Sequence, residues 1–292
     1  MRLRKLRCSS AAACVLWLFA APALATDDSA TPPPRPTAAK KVVMIAGPTR
    51  HPKGTHEHDR GLLLLKRCLD ASTNAPKLKV EVHSNNWPAD PRTLDDASAI
   101  VMFNEGWDDH LLADRNRRET VRKLMDRGVG LVALHGGTAV SDDAEPDFLD
   151  WAGGNKKKVY SHHTFTDGEQ TIAAPGHPVA RGVAPFAAHE ELYYRYMFRD
   201  PDPRRTPILT AMLPPDNPQK ETVAWAFQRA DGGRAFIYAG PHFYTSWEIE
   251  SLRRLVLNAI VWTAKAEVPE GGVRSVLPWH WKDISATERK SP

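Results

Sequence analysis

The sequence predicts an α/β protein built on a doubly wound, mainly parallel sheet flanked by helices. Three observations carry that prediction. Short, continuously apolar runs, rich in β-branched residues, recur in the first half of the chain, as strands buried on both faces require. Amphipathic stretches of helical period separate them. Each apolar run stops at a glycine or at a cluster of polar residues, the pattern of strands that end at a crevice.

The N-terminus comes before the sheet. Arg2, Arg4, Lys5 and Arg7 precede an apolar run from Ala11 to Ala21, and Ala23-Leu24-Ala25 closes it with small residues. This is the plan of a secretory leader, residues 1–25, removed after Ala25. The apolar run falls short of the roughly 20 residues that a spanning helix needs. Cleavage removes four of the 39 basic residues and none of the 35 acidic ones, so the mature chain is formally neutral. No basic stripe remains to hold nucleic acid, and no membrane association is expected after cleavage. Of the three cysteines, Cys8 and Cys14 leave with the leader and Cys68 stays alone. A periplasmic or secreted destination is therefore met without an intramolecular disulfide. Residues 26–40, with Pro32, Pro33, Pro34 and Pro36, read as a disordered tether.

The folded unit is expected over residues 41–273. Lys41 to Ala46 is the first strand, ended by Gly47-Pro48, and a histidine-rich loop leads to a helix from Gly61 to Ala71. Leu78 to Val82 and Ala97 to Phe103 are the next strands. Leu111 to Arg127 is a charged amphipathic helix stopped by Gly128, and Gly130 to Leu134 is the fourth strand. Later strands are expected at 159–166, 170–173, 207–212, 222–227 and 234–239. Asp231-Gly232-Gly233 marks a hairpin, and a helix from Ser251 to Ala264 closes one face. Residues 274–292 read as a turn-rich tail packed on the surface.

Ligands of such sheets bind beyond the carboxyl ends of the strands. The first strand delivers Thr49, Arg50, His51, His56, Glu57 and His58 to that rim; the third delivers Asn104, Glu105 and Trp107. The fourth delivers His135 and Thr138, and the last delivers His242 and Tyr244. His135, at a strand that breaks into Gly136-Gly137, is the sharpest position: a general acid or base, a metal ligand, or a histidine bonded between loops. His56 and His58 offer imidazoles to a divalent metal, although their spacing matches no standard zinc motif; a flexible polar loop is the alternative. Adjacent His162 and His163 must point to opposite faces of an extended segment. His189 to Tyr194 mixes Glu190 and Glu191 with Tyr193, an acid pair beside a sugar-sized aromatic face, or ordinary half-buried strand residues. Lys156-Lys157-Lys158 reads as a solvated charge run. No nucleotide cofactor is indicated.

Together, GLVALHGGT (Gly130 to Thr138), GHPVARGV (Gly176 to Val183), HEELYYRY (His189 to Tyr196), VAWAF (Val223 to Phe227) and GGRAFIYAGPHF (Gly232 to Phe243) resemble the ThuA-like (trehalose utilisation) family. The resemblance implies a fold similar to class I glutamine amidotransferases. Amidotransferase activity is not expected, because the elbow cysteine of those enzymes is replaced by His135. It implies a carbohydrate substrate, a disaccharide or keto-glycoside, with a sugar-oxidising dehydrogenase as pathway partner. By resemblance the catalytic positions are His135, Glu190, Glu191 and His242; the rim residues Asn104, Glu105, Trp107, Thr138 and Tyr244, with Tyr193, are expected to contact substrate. Pro241, inserted before His242, departs from the family's last motif.

Overall fold

The computed structural model describes residues 39–84 and 86–285. The expected leader, nearly all of the tether and the last seven residues lie outside that range. In the first half, β1 (Lys40–Ala46), α1 (His58–Asp70), β2 (Leu78–His83), β3 (Ala97–Phe103), α2 (Arg115–Asp126) and β4 (Gly130–Leu134) follow in order. Next come α3 (Glu145–Ala152), the two-residue β5 (Gly154–Asn155), β6 (His162–Thr166), β7 (Glu169–Ile172) and β8 (Phe186–Ala187). β9 (Glu190–Tyr194), β10 (Met197–Phe198), β11 (Arg205–Leu213), β12 (Gln219–Gln228), β13 (Arg234–Tyr238) and α4 (Glu250–Thr263) complete the set.

The main sheet has the order β2-β1-β3-β4-β13-β12-β11-β7-β8. Its first five strands pair in parallel and the remaining pairs are antiparallel. The parallel half is the expected doubly wound core. The antiparallel wing arises because β11, β12 and β13 are joined by short turns, too short for the crossover that a parallel neighbour needs. Gly232, at φ +78°, sits in the β12–β13 turn. β6 and β9 pair separately, as a two-stranded ribbon.

β1, β3 and β4 are buried along almost their whole length, so both faces must be covered. α4 packs on β3, β4 and β13 and touches α1. α2 is tied by Arg118 to Asp143, just before α3, and by Arg122 to Asp147 within it. The α2 segment begins later than its periodicity predicts. Asp114 accepts hydrogen bonds from the amides of Asn116 and Arg117 and so caps the helix there, leaving Leu111–Ala113 as a separate 3-10 turn. The β6 strand starts at His162 rather than at residue 159. Cys68 is buried and free, its thiol pushed up to about 11 by burial.

The C-terminal segment lies on α1. Arg60 donates to the carbonyls of Lys282 and Ile284, and the Tyr244 hydroxyl donates to the Trp281 carbonyl at 2.6 Å. Among the described residues no helix is long and apolar enough to cross a membrane.

Candidate metal centre

β1, β3, β4 and β13 are consecutive in the parallel half of the sheet, so their carboxyl-end loops meet at one point. His135 is the first residue beyond β4. The chain turns there with His135 at φ +47°, and Gly136 packs so closely that a Cβ would lie 2.3 Å from the Asn104 carbonyl oxygen. Only glycine permits that approach, and it brings the turn against the end of β3. The 54–56 loop and the segment after β13 are stitched by main-chain bonds: the His56 amide donates to the His242 carbonyl at 2.9 Å, and the Tyr244 amide donates to the Gly54 carbonyl at 2.8 Å. The β6–β9 ribbon supplies Glu191 from the side.

Four side chains converge. His135 Nε2 lies 3.1 Å from His56 Nε2, 3.1 Å from His242 Nδ1 and 3.3 Å from a Glu191 carboxylate oxygen. His242 Nδ1 is 2.9 Å from that same oxygen. All four residues are buried, and their donor atoms lie within 4.8 Å of one another. Nitrogen and oxygen ligands held 2.0–2.2 Å from a tetrahedral ion are about 3.4 Å apart, so a slight opening of this cluster admits a divalent transition metal.

Proton placement points the same way. The His135 Nδ1–H donates to the Ala239 carbonyl at 2.7 Å, which puts the lone pair on Nε2, the tautomer a metal ligand needs, with the Tyr193 hydroxyl beside it at 3.1 Å. His56 Nδ1 lies 3.0 Å from Glu105. A proton there makes a second lone pair, on His56 Nε2, face that of His135; a proton on Nε2 instead sets a lone pair against the Glu105 carboxylate. With the proton on His56 Nδ1, a cation at the centre meets both imidazole lone pairs that face it. His56 (φ +48°) and Trp107 (φ +53°) share the left-handed backbone of His135, a conformation that costs about 1–3 kcal/mol per residue and gathers at functional sites.

The electrostatics are those of two carboxylates, Glu191 and Glu105, set among imidazoles. Burial, seconded by the charge of His56, pushes His135 down to about 4 against the pull of Glu191. Burial opposes ionisation of Glu191, but bonds from His135 and His242 outweigh it and hold its carboxyl well below the usual range. Glu105 behaves likewise: burial is overcome by His56, His58 and His51, and its carboxyl falls to about 2. His51 stacks on His56 at 3.6 Å and reaches Glu105 at 3.4 Å while staying partly open to solvent.

The remaining sequence candidates fall elsewhere. Glu190 neighbours Glu191 on a strand, so it points to the opposite face. There it accepts from the His242 amide at 2.7 Å and from the Ser246 hydroxyl, positioning the His242 loop from beneath, with burial pushing its carboxyl up to about 8. His58 lies outside the cluster: its Nδ1 is 3.0 Å from the Gly47 carbonyl, its ring abuts Phe103, and burial pushes it down to about 3. Thr138 donates to the His135 carbonyl at 2.7 Å and so braces the turn. Asn104 donates to the Glu105 carbonyl at 2.6 Å. Tyr244 is tied to Trp281 and lies under the Arg60 guanidinium at 4.0 Å, away from the cluster. Tyr193 is no free sugar platform, since its ring stacks on His135 at 4.5 Å and its hydroxyl is 3.1 Å from His135 Nε2. His242 reaches the cluster despite the inserted Pro241. Both His162 and His163 are exposed, with His163 Nε2 3.6 Å from Glu191.

Two participants carried no usable sequence signal. Lys156 is buried against Trp107 and Tyr193, and Phe165, 54% exposed, overhangs His242 and Phe243.

Comparison with known proteins bears on the family and the fold. A family model described as ThuA, trehalose utilisation, matches residues 44–263. Among solved structures, a protein from Parabacteroides merdae described as ThuA-like superposes with a TM-score of 0.58 at 15% identity, covering 82% of this chain and 98% of its own. One from Bacteroides uniformis, also described as ThuA-like, gives 0.57 at 14%, covering 78% and 93%. A cytoplasmic protein from Salmonella typhimurium gives 0.54 at 14%, covering 77% and 99%. At these identities the likeness is one of fold. No curated protein matches the sequence. The chain belongs to the ThuA, or trehalose-utilisation, family.

Proposed function

We infer that this is an exported enzyme of carbohydrate utilisation that acts on a disaccharide or keto-glycoside by divalent-metal-assisted acid–base chemistry. The observation that carries this reading is the convergence of His56, His135, His242 and Glu191 on one buried point, with the His135 tautomer set by Ala239. A bound divalent ion supplies Lewis acidity towards a sugar carbonyl or hydroxyl oxygen.

The residues of the chain divide the remaining tasks. As a ligand, His135 has its Nε2 lone pair engaged, so moving protons falls to the solvent-facing imidazoles at the rim, His51 and His163. With a keto-glycoside, a rim base takes the proton from the carbon beside the keto group. The C–H electrons form a carbon–carbon double bond, the glycosidic C–O bond breaks, and the departing oxygen takes up a proton. The elimination balances without a co-reactant. General acid–base assistance of this kind is worth about 10²–10⁴-fold. A cavity of ≈ 550 Å³ opens beside His51, between Thr49, Thr55, Arg60 and Lys282, with room for the departing sugar. Phe165 offers the exposed aromatic surface at the mouth. Export rests on the leader-like first 25 residues.

The test is metal analysis of the purified protein, followed by turnover of disaccharides and their 3-keto derivatives with and without chelator, beside Glu191→Ala. The expected result is about one ion per chain and turnover abolished by chelation, restored by divalent ions and missing from the variant. Undiminished turnover by fully stripped protein would return the chemistry to a metal-free His135 base.

A further inference from the structure

We propose that Lys156 is a catalytic residue of this same centre, its ammonium donating a hydrogen bond to the sugar oxygen on which negative charge develops. The inference rests on the carbohydrate reading above.

The three consecutive lysines divide sharply. Lys158 is exposed, and Lys157 pairs with Glu145 at 2.7 Å. Lys156 is only 3% exposed. Its backbone is fixed to the turn that carries His135, because the Lys156 amide donates to the Thr138 carbonyl at 2.9 Å. The preceding Asn155 locks the same segment, accepting from the Val140 amide at 3.0 Å and donating to Glu145 at 2.8 Å. The ammonium nitrogen then lies 4.1 Å from the centroid of the Trp107 ring and 4.2 Å from that of Tyr193. Trp107 reaches this position from a left-handed backbone, with its amide donating to the Ala139 carbonyl at 2.6 Å.

Nothing in this setting uses the three N–H groups. Among the described residues no oxygen accepts a hydrogen bond from the ammonium and no carboxylate forms an ion pair with it. The nearest influential anion, Glu191, is already held by His135 and His242. A buried cation without a partner is costly, and ring faces offset only part of that cost. A lysine needed for packing alone would lose nothing as methionine. Here the charge is held, almost enclosed, beside Tyr193, whose hydroxyl touches His135 Nε2 at 3.1 Å. A preorganised donor held next to the reacting centre is the arrangement that stabilises developing negative charge. Burial, which lowers the amine to about 8, accords with that role.

The experiment compares metal-loaded wild type with Lys156→Met and Lys156→Ala on any sugar the wild type turns over. Metal content, kcat, KM and rescue by ethylamine are the readouts. The expected result is unchanged metal content, a kcat lower by about 10²–10³-fold and a KM moved by less than the kcat. Ethylamine, but not propane, should raise the rate of Lys156→Ala. That rescue decides the matter if the methionine variant fails to fold. Wild-type kcat in a variant would overturn the assignment, as would loss of the metal from both, which would make Lys156 a prop of the centre. A wild type that holds metal yet binds and turns over no sugar would instead overturn the carbohydrate reading, and this inference with it.

Discussion

Glu105→Gln tests the metal centre without touching a ligand. Glu105 lies 3.0 Å behind His56 Nδ1, on the side away from the cluster, and its carboxyl, held at about 2, is ionised throughout the neutral range. A negative charge there makes the opposite nitrogen of His56 a stronger donor and fixes the ring. Glutamine keeps the shape and removes the charge. Loss of such an outer partner weakens metal binding by about 10–100-fold, equivalent to about 1.4–2.7 kcal/mol. Competition with a chromophoric chelator at pH 7.5 measures the constant directly, with circular dichroism checking the fold. Glu191→Gln, which alters a ligand itself, should fall further. An affinity for Glu105→Gln within twofold of wild type would refute the proposed role of Glu105 behind His56, because the charge would then have no bearing on the ion.

Two further outcomes follow from the packing. Gly136→Ala would place a methyl group 2.3 Å from the Asn104 carbonyl oxygen; the ends of β3 and β4 must separate, and both a loss of at least about 2 kcal/mol in urea unfolding and a loss of metal affinity are expected. His110 is fully enclosed, with Nε2 3.1 Å from the Gly137 carbonyl and Nδ1 accepting from the Leu112 amide at 2.9 Å, and burial pushes it down to about 4. The unfolded chain takes up that proton first, so this stabilisation is whole above pH 6.5 and disappears as pH falls towards 4. It amounts to on the order of 3 kcal/mol, and urea titrations across that window should show a shallower acid dependence in His110→Gln.

The parallel half of the fold was legible because β1, β3 and β4 are continuous apolar runs, a pattern that burial on both faces imposes on any sequence. α3 was not: it is eight residues long, with Pro146 in its first turn, and its periodicity is too short to register. In the site, strand-end logic grouped His135 with His242, and the folded chain brings His135 Nε2 to 3.1 Å from His242 Nδ1. Alternation also says that Glu190 and Glu191 must diverge, but which of them turns inward depends on the register of β9 with β6, a pairing of distant segments. His56 and His58 are separated the same way, by the turn into α1. Lys156 was hidden for another reason. A run of three lysines has the composition of a solvated surface, and only the fold shows that Trp107 and Tyr193 close over the first of them.

The four donors come from four distant stretches of chain, His135 lying 79 positions after His56 and His242 lying 107 positions after His135. An ion binding all of them is thus a clasp on the tertiary structure as well as a reagent. A cross-link that closes a loop of this length removes roughly 4–5 kcal/mol of disorder from the unfolded chain, a service that Cys68, the one cysteine among the described residues, does not perform. Survival of the chain would then track metal supply: chains made under metal starvation would open more often and fall to proteases sooner. Scarcity would thereby thin the population of molecules as well as silence each one.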